Sequence, residues 1–303
     1  MTASRCYRIG GITLQIHSDL PLTDTTFSDK LELFGVDEPG DDAVTLYHHF
    51  ELPAQVEPVE GIERYRKPPW AIYQTAQGYL YLGISPNGST KRLWKVAVFN
   101  ADHSVGHIYH PDGAGWSTGG NTALTSFPSD QILIAQLLAD RRGCYLHSAG
   151  AILNGAGFLF VGHSEAGKST TTQMLIDAGE RGDLEVEILC DDRNIVRRFD
   201  DGWQVYGSWS HGDIPLVSAT SAPLRAICFL EQAAENRLIP LIDRRQISSR
   251  LLACVIRPFV TAAWWDKTLD VVAKLAAESK FYVMRFDKSG KIVDELNSFD
   301  FGK

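Results

Sequence analysis

Short runs in which apolar and polar positions alternate dominate the first part of the chain. A period of two is the signature of a half-buried strand. Such runs lie at residues 7–17 (YRIGGITLQIH), 44–52 (VTLYHHFEL), 70–74, 79–84, 91–99 and 105–109. They are rich in aromatic and β-branched side chains, which suit a pleated surface. Turn signals separate them, among them Pro39-Gly40-Asp41-Asp42 and Pro86-Asn87-Gly88. A glycine-rich stretch at 111–121 reads as the linker out of this unit.

The period then changes. Ser129 or Asp130 can cap a helix whose stripe is Ile132, Leu133, Leu137 and Leu138, with Gly143 just past its end. A strand at 145–153 meets Asn154-Gly155, a strong two-residue hairpin turn, and 158–161 is the return strand. A helix at 168–178 stops at Gly179, and a strand at 185–190 closes on Asp191-Asp192. Residues 195–199 and 203–206 form a hairpin about Asp200-Asp201-Gly202. Strands at 225–230 and 281–286 bracket a helix at 262–276 that opens on Trp264-Trp265. No internal repeat or low-complexity tract interrupts this order. The expected class is α/β, with a β-rich N-terminal domain at 1–125 and a second domain at 126–303.

Composition narrows the partners. The 303 residues are 44% hydrophobic and 22% charged, which is ordinary globular usage. A net charge of −8 argues against a nucleic-acid partner, which selects a basic patch. The five cysteines, Cys6, Cys144, Cys190, Cys228 and Cys254, include no C-x-x-C pair, and several sit in apolar runs. They read as buried, reduced thiols. No apolar run reaches the ~18 residues that span a bilayer, and the N-terminus lacks a signal-peptide core. A soluble, cytoplasmic protein with no membrane partner is expected.

The chemistry concentrates at G-x-x-x-x-G-K-S, formed by Gly162, His163, Ser164, Glu165, Ala166, Gly167, Lys168 and Ser169, with Thr170 following. Glycines let backbone N–H groups turn inward around phosphates, at the positive end of the next helix. Lys168 can reach β- and γ-phosphate oxygens, and the Ser169 hydroxyl is placed to ligate Mg²⁺. The pattern alone arises by chance, but here an apolar strand (FLFV) precedes it and a helix-forming run follows. ATP and Mg²⁺ are the expected cofactors. Adjacent strand residues face opposite ways, so Asp191 and Asp192 should divide the work. Asp192 is assigned as the general base and Asp191 as a metal partner, direct or through water. His147 lies on the strand whose hairpin partner leads into the loop, although a lone strand histidine is more often structural.

These residues look like a known family. The run LHSAGAILNGAGFLFVGHSEAGKST, followed by ILCDDRNIV, resembles the catalytic domain of HPr kinase/phosphorylase. More closely, VYGSWSHGD and PLRAICFLEQAAENRLIPL resemble the HPr-kinase-like serine kinases, some of which phosphorylate peptide precursors. The likeness covers about residues 130–290. It implies a P-loop kinase domain with a mixed sheet, and a Ser or Thr acceptor on a peptide or protein. It makes His147 a catalytic histidine, Asp192 the acceptor of the hydroxyl proton and Ser169 the metal-binding serine. Arg237 corresponds to the catalytic arginine, across a gap. The family's hexamer points to self-association as a homo-oligomer.

The departures are specific. Gln204 stands in the segment where the family carries a metal-binding Glu, and Asp213 is the candidate to replace it. Glu165-Ala166 stands where the family has a second glycine. No phosphorolysis segment is recognisable, so a kinase without the reverse activity is expected. A small-molecule kinase, a phosphoenolpyruvate-carboxykinase-like enzyme, an NTPase driving a partner and a nucleotide-binding module without chemistry stay open. Elsewhere, His103, His107 and His110 lack the spacing of a metal site, and His48-His49 reads as structural. Arg244, Arg245, Arg250 and Arg257 form a basic stretch, read as a solvated face or a dock for an acidic peptide.

Overall fold

Two glycines break the first apolar run. In the computed structural model Gly10 and Gly11 take φ of 57° and 74°, the pair of positive values that a tight hairpin turn requires. The single strand expected at 7–17 is therefore two, β1 (Ser4–Ile9) and β2 (Ile12–Ser18), paired antiparallel. Apolar continuity across the turn concealed it. The structure describes residues 4–54, 56, 60–90, 93–125, 130–258 and 261–301. Ser129, one of the two expected helix caps, and the first two residues of the 91–99 run lie outside the described residues.

The chain forms two units, Met1–Leu137 with Arg257–Ala262, and Leu138–Ile256 with Ala263–Lys303. In the first, α1 (Asp29–Glu32) and β3 (Gly35–Val36) follow the hairpin. Next come β4 (Ala43–His49), β5 (Ile62–Lys67), β6 (Trp70–Gln74), β7 (Gly78–Gly83), β8 (Lys95–Asn100) and β9 (Val105–Tyr109). They make one nine-stranded sheet in the order β3-β1-β2-β4-β9-β8-β7-β6-β5. The β2–β4 and β4–β9 pairings are parallel. Alternate residues such as Leu14, Ile16, Leu46 and Ile108 are fully buried, as period-two patterning requires. The stretch at 111–121 is no linker. It holds α2 (Ala114–Thr118), its Trp116 is buried, and Gly120 N donates to Thr25 O at 2.8 Å. The two units divide within α3 (Gln131–Ala139).

The second unit is built around two long strands. β10 (Gly143–Leu153) turns at Asn154-Gly155 into β11 (Ala156–Val161), and both turn residues have positive φ, as the sequence requires. Then follow α4 (Lys168–Arg181), β12 (Val186–Cys190), β13 (Arg193–Phe199), β14 (Gly202–Tyr206) and β15 (Ser221–Gln232). The chain closes with β16 (Arg237–Pro240), α5 (Arg244–Cys254), α6 (Ala262–Glu278), β17 (Phe281–Phe286) and α7 (Lys291–Ser298).

The sheet order is β11-β10-β13-β14-β15-β17-β16, with β12 on β10. A parallel β11–β15 pairing closes five of these strands into a ring. β10 serves both sides of it, pairing with β13 through its first half and with β11 and β12 through its second. A Cβ at Gly157 would lie 2.1 Å from Val205 Cγ1, so only glycine allows that approach across the ring. One apolar layer, with Leu146, Leu159, Ile227, Leu251 and Leu275, packs α5 and α6 against the strands. A second, with Phe160, Leu175, Met284 and Ile292, packs α4 and α7. The class is mixed α/β, with two large mixed sheets and seven helices among the described residues. The elements β3, β5, α1 and α2 in the first unit and β16, α5 and α7 in the second were not anticipated; their runs are short or mostly polar.

Candidate functional site

The loop at 162–169 leaves β11 and enters α4, the strand–loop–helix order expected of it. Gly167 is the helix N-cap with φ of 104°, and a Cβ there would sit 2.6 Å from Phe286 Cζ. Glycine is thus required twice, for its backbone and for the close ring. Glu165 carries φ of 67°, an uncommon value without the freedom of glycine, and its carbonyl accepts from Gln232 Nε2 at 2.9 Å. Inside the loop Lys168 Nζ donates to Gly162 O at 3.1 Å and His163 O at 3.0 Å. Burial lowers the Lys168 pKa, against the opposing pull of Asp192, Cys254 and Asp191. Such an ammonium gains from a buried anion.

Asp191 and Asp192 form the connection between β12 and β13, and they do divide their contacts. Asp191 is 1% exposed; its carboxylate accepts from Gly212 N at 2.6 Å and Ile214 N at 2.9 Å. The Ser169 hydroxyl lies 3.3 Å from Asp191 Oδ2 and 3.3 Å from Asp213 Oδ2. One hydroxyl and two carboxylates make an all-oxygen donor set, the chemistry that suits Mg²⁺. Asp213 has no cationic partner among the described residues, so the set carries charge that a divalent ion would offset. Gln204, on β14, does not line this cavity.

Asp192 turns the other way. Its Oδ1 lies 3.0 Å from His147 Nδ1 and its Oδ2 2.7 Å from Arg193 Nη1, an ion-pair contact on each oxygen. Burial pushes its pKa up, but His147, Arg193 and Lys168 together hold it below the usual carboxylate value. Register explains the pairing: β10 and β13 set His147 directly opposite Arg193. Buried Asn194 fixes the bend, donating to Ser148 O at 2.7 Å and Cys190 O at 3.1 Å. Arg193 in turn reaches the Ser210 hydroxyl.

These groups surround one cavity of about 400 Å³, with His147, Lys168, Ser169, Asp191, Asp192 and Asp213 in its wall. Ser164, Glu165, Gly167 and Thr170 also line it. Of the other loop residues, Gly162 and His163 supply carbonyls to Lys168, and Ala166 is buried. A larger cavity of 580 Å³ lies in the first unit beside the Arg5–Glu32 ion pair, without comparable chemistry. Chemistry rather than volume selects the smaller one.

Arg237 is not brought to the site. It is exposed at the start of the edge strand β16, opposite Arg285, and does not line the cavity. Arg193, Gln232 and Lys288 are the residues that the sequence reading missed. Arg193 follows Asp191-Asp192 directly and could have been found from strand register, whereas Lys288 arrives from a distant turn with no local signal.

The remaining candidates are accounted for in the structure. His48 Nδ1 and His110 Nε2 lie 2.9 Å apart, and His103 Nε2 is 2.8 Å from the Tyr81 hydroxyl. Burial drives His103 and His110 down to about 3, which keeps them neutral at physiological pH. Half-exposed His49 bridges Asp19 and His107. Among the described residues no group of three or more His, Cys, Asp or Glu could hold a metal ion. Arg244 and Arg245 open α5 behind the Asp243 cap, and Arg250 pairs with Glu231 at 2.9 Å. All five cysteines are free and buried. No described helix is long and apolar enough to cross a membrane. No protein-family model matches the chain, and no curated protein matches it.

Proposed function

We propose that the chain is an ATP-dependent kinase with a domain of the HPr-kinase type, transferring the γ-phosphoryl group to a Ser or Thr hydroxyl of a peptide or protein. One observation carries this reading. Lys168 and Ser169 of the loop share a cavity with the His147–Asp192 pair, whose contact is 3.0 Å. Phosphoryl transfer asks the protein for positioning and charge, and little else. The first-turn N–H groups of α4 and the Lys168 ammonium stabilise charge on the transferred group. Ser169, Asp191 and Asp213 are the residues that would hold Mg²⁺, which supplies further charge neutralisation. As the acceptor oxygen bonds to γ-phosphorus and the bond to the ADP oxygen breaks, Asp192 takes the acceptor proton. His147 and Arg193 each hold one Asp192 oxygen, so the carboxylate meets the acceptor in one orientation.

The net charge of −8 supports a partner that is not a nucleic acid, and the reading places the protein in the cytoplasm, where ATP is abundant. Self-association and the lack of a reverse activity belong to the same proposal. A second reading, a nucleotide-binding module without chemistry, is favoured by the depressed Asp192 carboxylate, because a weaker base accepts a proton less readily.

The deciding experiment is transfer of labelled γ-phosphate from ATP–Mg²⁺ to Ser-containing peptides and small hydroxyl compounds, with Asp192→Asn and Lys168→Ala alongside. Label on a peptide hydroxyl, lost in both variants, supports the kinase. Label only on small compounds makes it a metabolite kinase. Tight nucleotide binding with no acceptor or water ever labelled gives the binding module.

A further inference from the structure

The cavity wall is short of positive charge. Four carboxylates line it, Glu165, Asp191, Asp192 and Asp213, against the ammonium groups of Lys168 and Lys288. Lys168 is already shared between two loop carbonyls. Arg237 cannot make up the difference from the edge strand. We propose that Lys288, in the turn after β17, is a nucleotide-binding residue that meets the α- and β-phosphates on the flank of the loop opposite the acceptor. This rests on the nucleotide reading above.

Sheet order sets the two flanks. β11, which feeds the loop, has β10 on one side and β15 on the other, with β17 beyond β15. His147 and Asp192 come from the β10 side. Gln232, at the end of β15, and Lys288, just past β17, come from the other, so the acceptor machinery and Lys288 do not compete for space. The Lys288 flank is tied to the loop at two points. Gln232 holds the Glu165 carbonyl, and Phe286 lies against Gly167, two residues before Lys288.

The turn that carries Lys288 is braced. Asp287 Oδ1 accepts from Ser289 N at 2.8 Å, Asp287 N donates to Asn236 Oδ1 at 3.3 Å, and Ala233 N donates to Phe286 O at 2.9 Å. The neighbouring carboxylate is thereby used inside the turn. Lys288 is exposed and makes no ion pair among the described residues. An uncompensated ammonium at the rim of an anion-binding loop lowers the cost of bringing in a polyphosphate.

The test is equilibrium binding of ATP–Mg²⁺ and ADP–Mg²⁺ to the full chain, comparing wild type, Lys288→Ala and Lys288→Arg. Lys288 is exposed, so folding is not at stake. Loss of one charge-assisted contact predicts about tenfold weaker binding of both nucleotides in Lys288→Ala. Recovery is expected in Lys288→Arg, with the KM of a phosphate acceptor unchanged. Wild-type ADP affinity in Lys288→Ala overturns the proposal and leaves the nucleotide reading intact. So does a rise confined to acceptor KM. If the wild-type chain binds neither nucleotide, the nucleotide reading fails and Lys288 falls with it.

Discussion

His147 Nδ1 lies 3.0 Å from Asp192 Oδ1, although the rest of β10, β11, the loop, α4 and β12 all lie between the two in sequence. The contact orients a carboxylate whose second oxygen is held by Arg193. His147→Ala leaves that carboxylate charged and held by Arg193 alone. The expected result is a fall in kcat of about 10²-fold, in the range for a positioned acid–base group, with ATP affinity near wild type. Steady-state kinetics beside nucleotide binding separates the two. A variant that loses ATP binding and kcat together would assign His147 to the nucleotide instead.

The depressed Asp192 carboxylate has a consequence for stability. A carboxyl group whose pKa is lower in the folded than in the unfolded chain stabilises the fold above its ordinary value of about 3.9, and that contribution is lost as pH falls through the depressed value. Asp192→Asn should therefore lower the Tm at pH 7. The gap should close as both proteins are melted at pH values below about 4. A gap that persists undiminished in acid would mean that the charge of Asp192 contributes nothing to the fold.

Metal holding is testable at Asp213. Its carboxylate is 3.3 Å from the Ser169 hydroxyl and belongs to a loop that sequence alone could not place. Asp213→Asn should raise the Mg²⁺ concentration for half-maximal activity by at least about tenfold, while leaving the melting curve of the metal-free chain little changed. A Mg²⁺ titration identical to wild type would remove Asp213 from the metal set.

Gly167→Ala meets two obstacles, a φ of 104° and the Phe286 ring at 2.6 Å. A cost of about 1–3 kcal/mol is expected from the backbone alone, so thermal denaturation should shift down by several degrees. ATP binding should weaken as well, because the loop is displaced. Unchanged melting would show that the loop relaxes freely.

Much of the second unit was legible in the sequence because its signals are local. Asn154-Gly155 specifies a turn through its own φ values, and a glycine-bearing loop between an apolar run and a helix former specifies strand–loop–helix. Failures came where a local rule met a competing one. Gly10-Gly11 is an equally strong turn signal, but it lies in a run whose alternation continues through it.

The sequence by itself determined the loop, the helix after it and the acidic pair at the end of β12, because each depends on backbone preferences within a few residues. The proposal of a phosphate and a divalent ion rests on those residue types. Only the tertiary structure decided which carboxylate faces which partner. The β10–β13 register puts His147 beside Asp192, and the loop after β14 brings Gly212 and Asp213 to Asp191 and Ser169. The same holds for the cations. Arg237 is sent to a sheet edge, while the β15–β17 pairing carries Lys288 to the cavity. Register and sheet order arise from packing among distant segments, and no window of sequence contains that information.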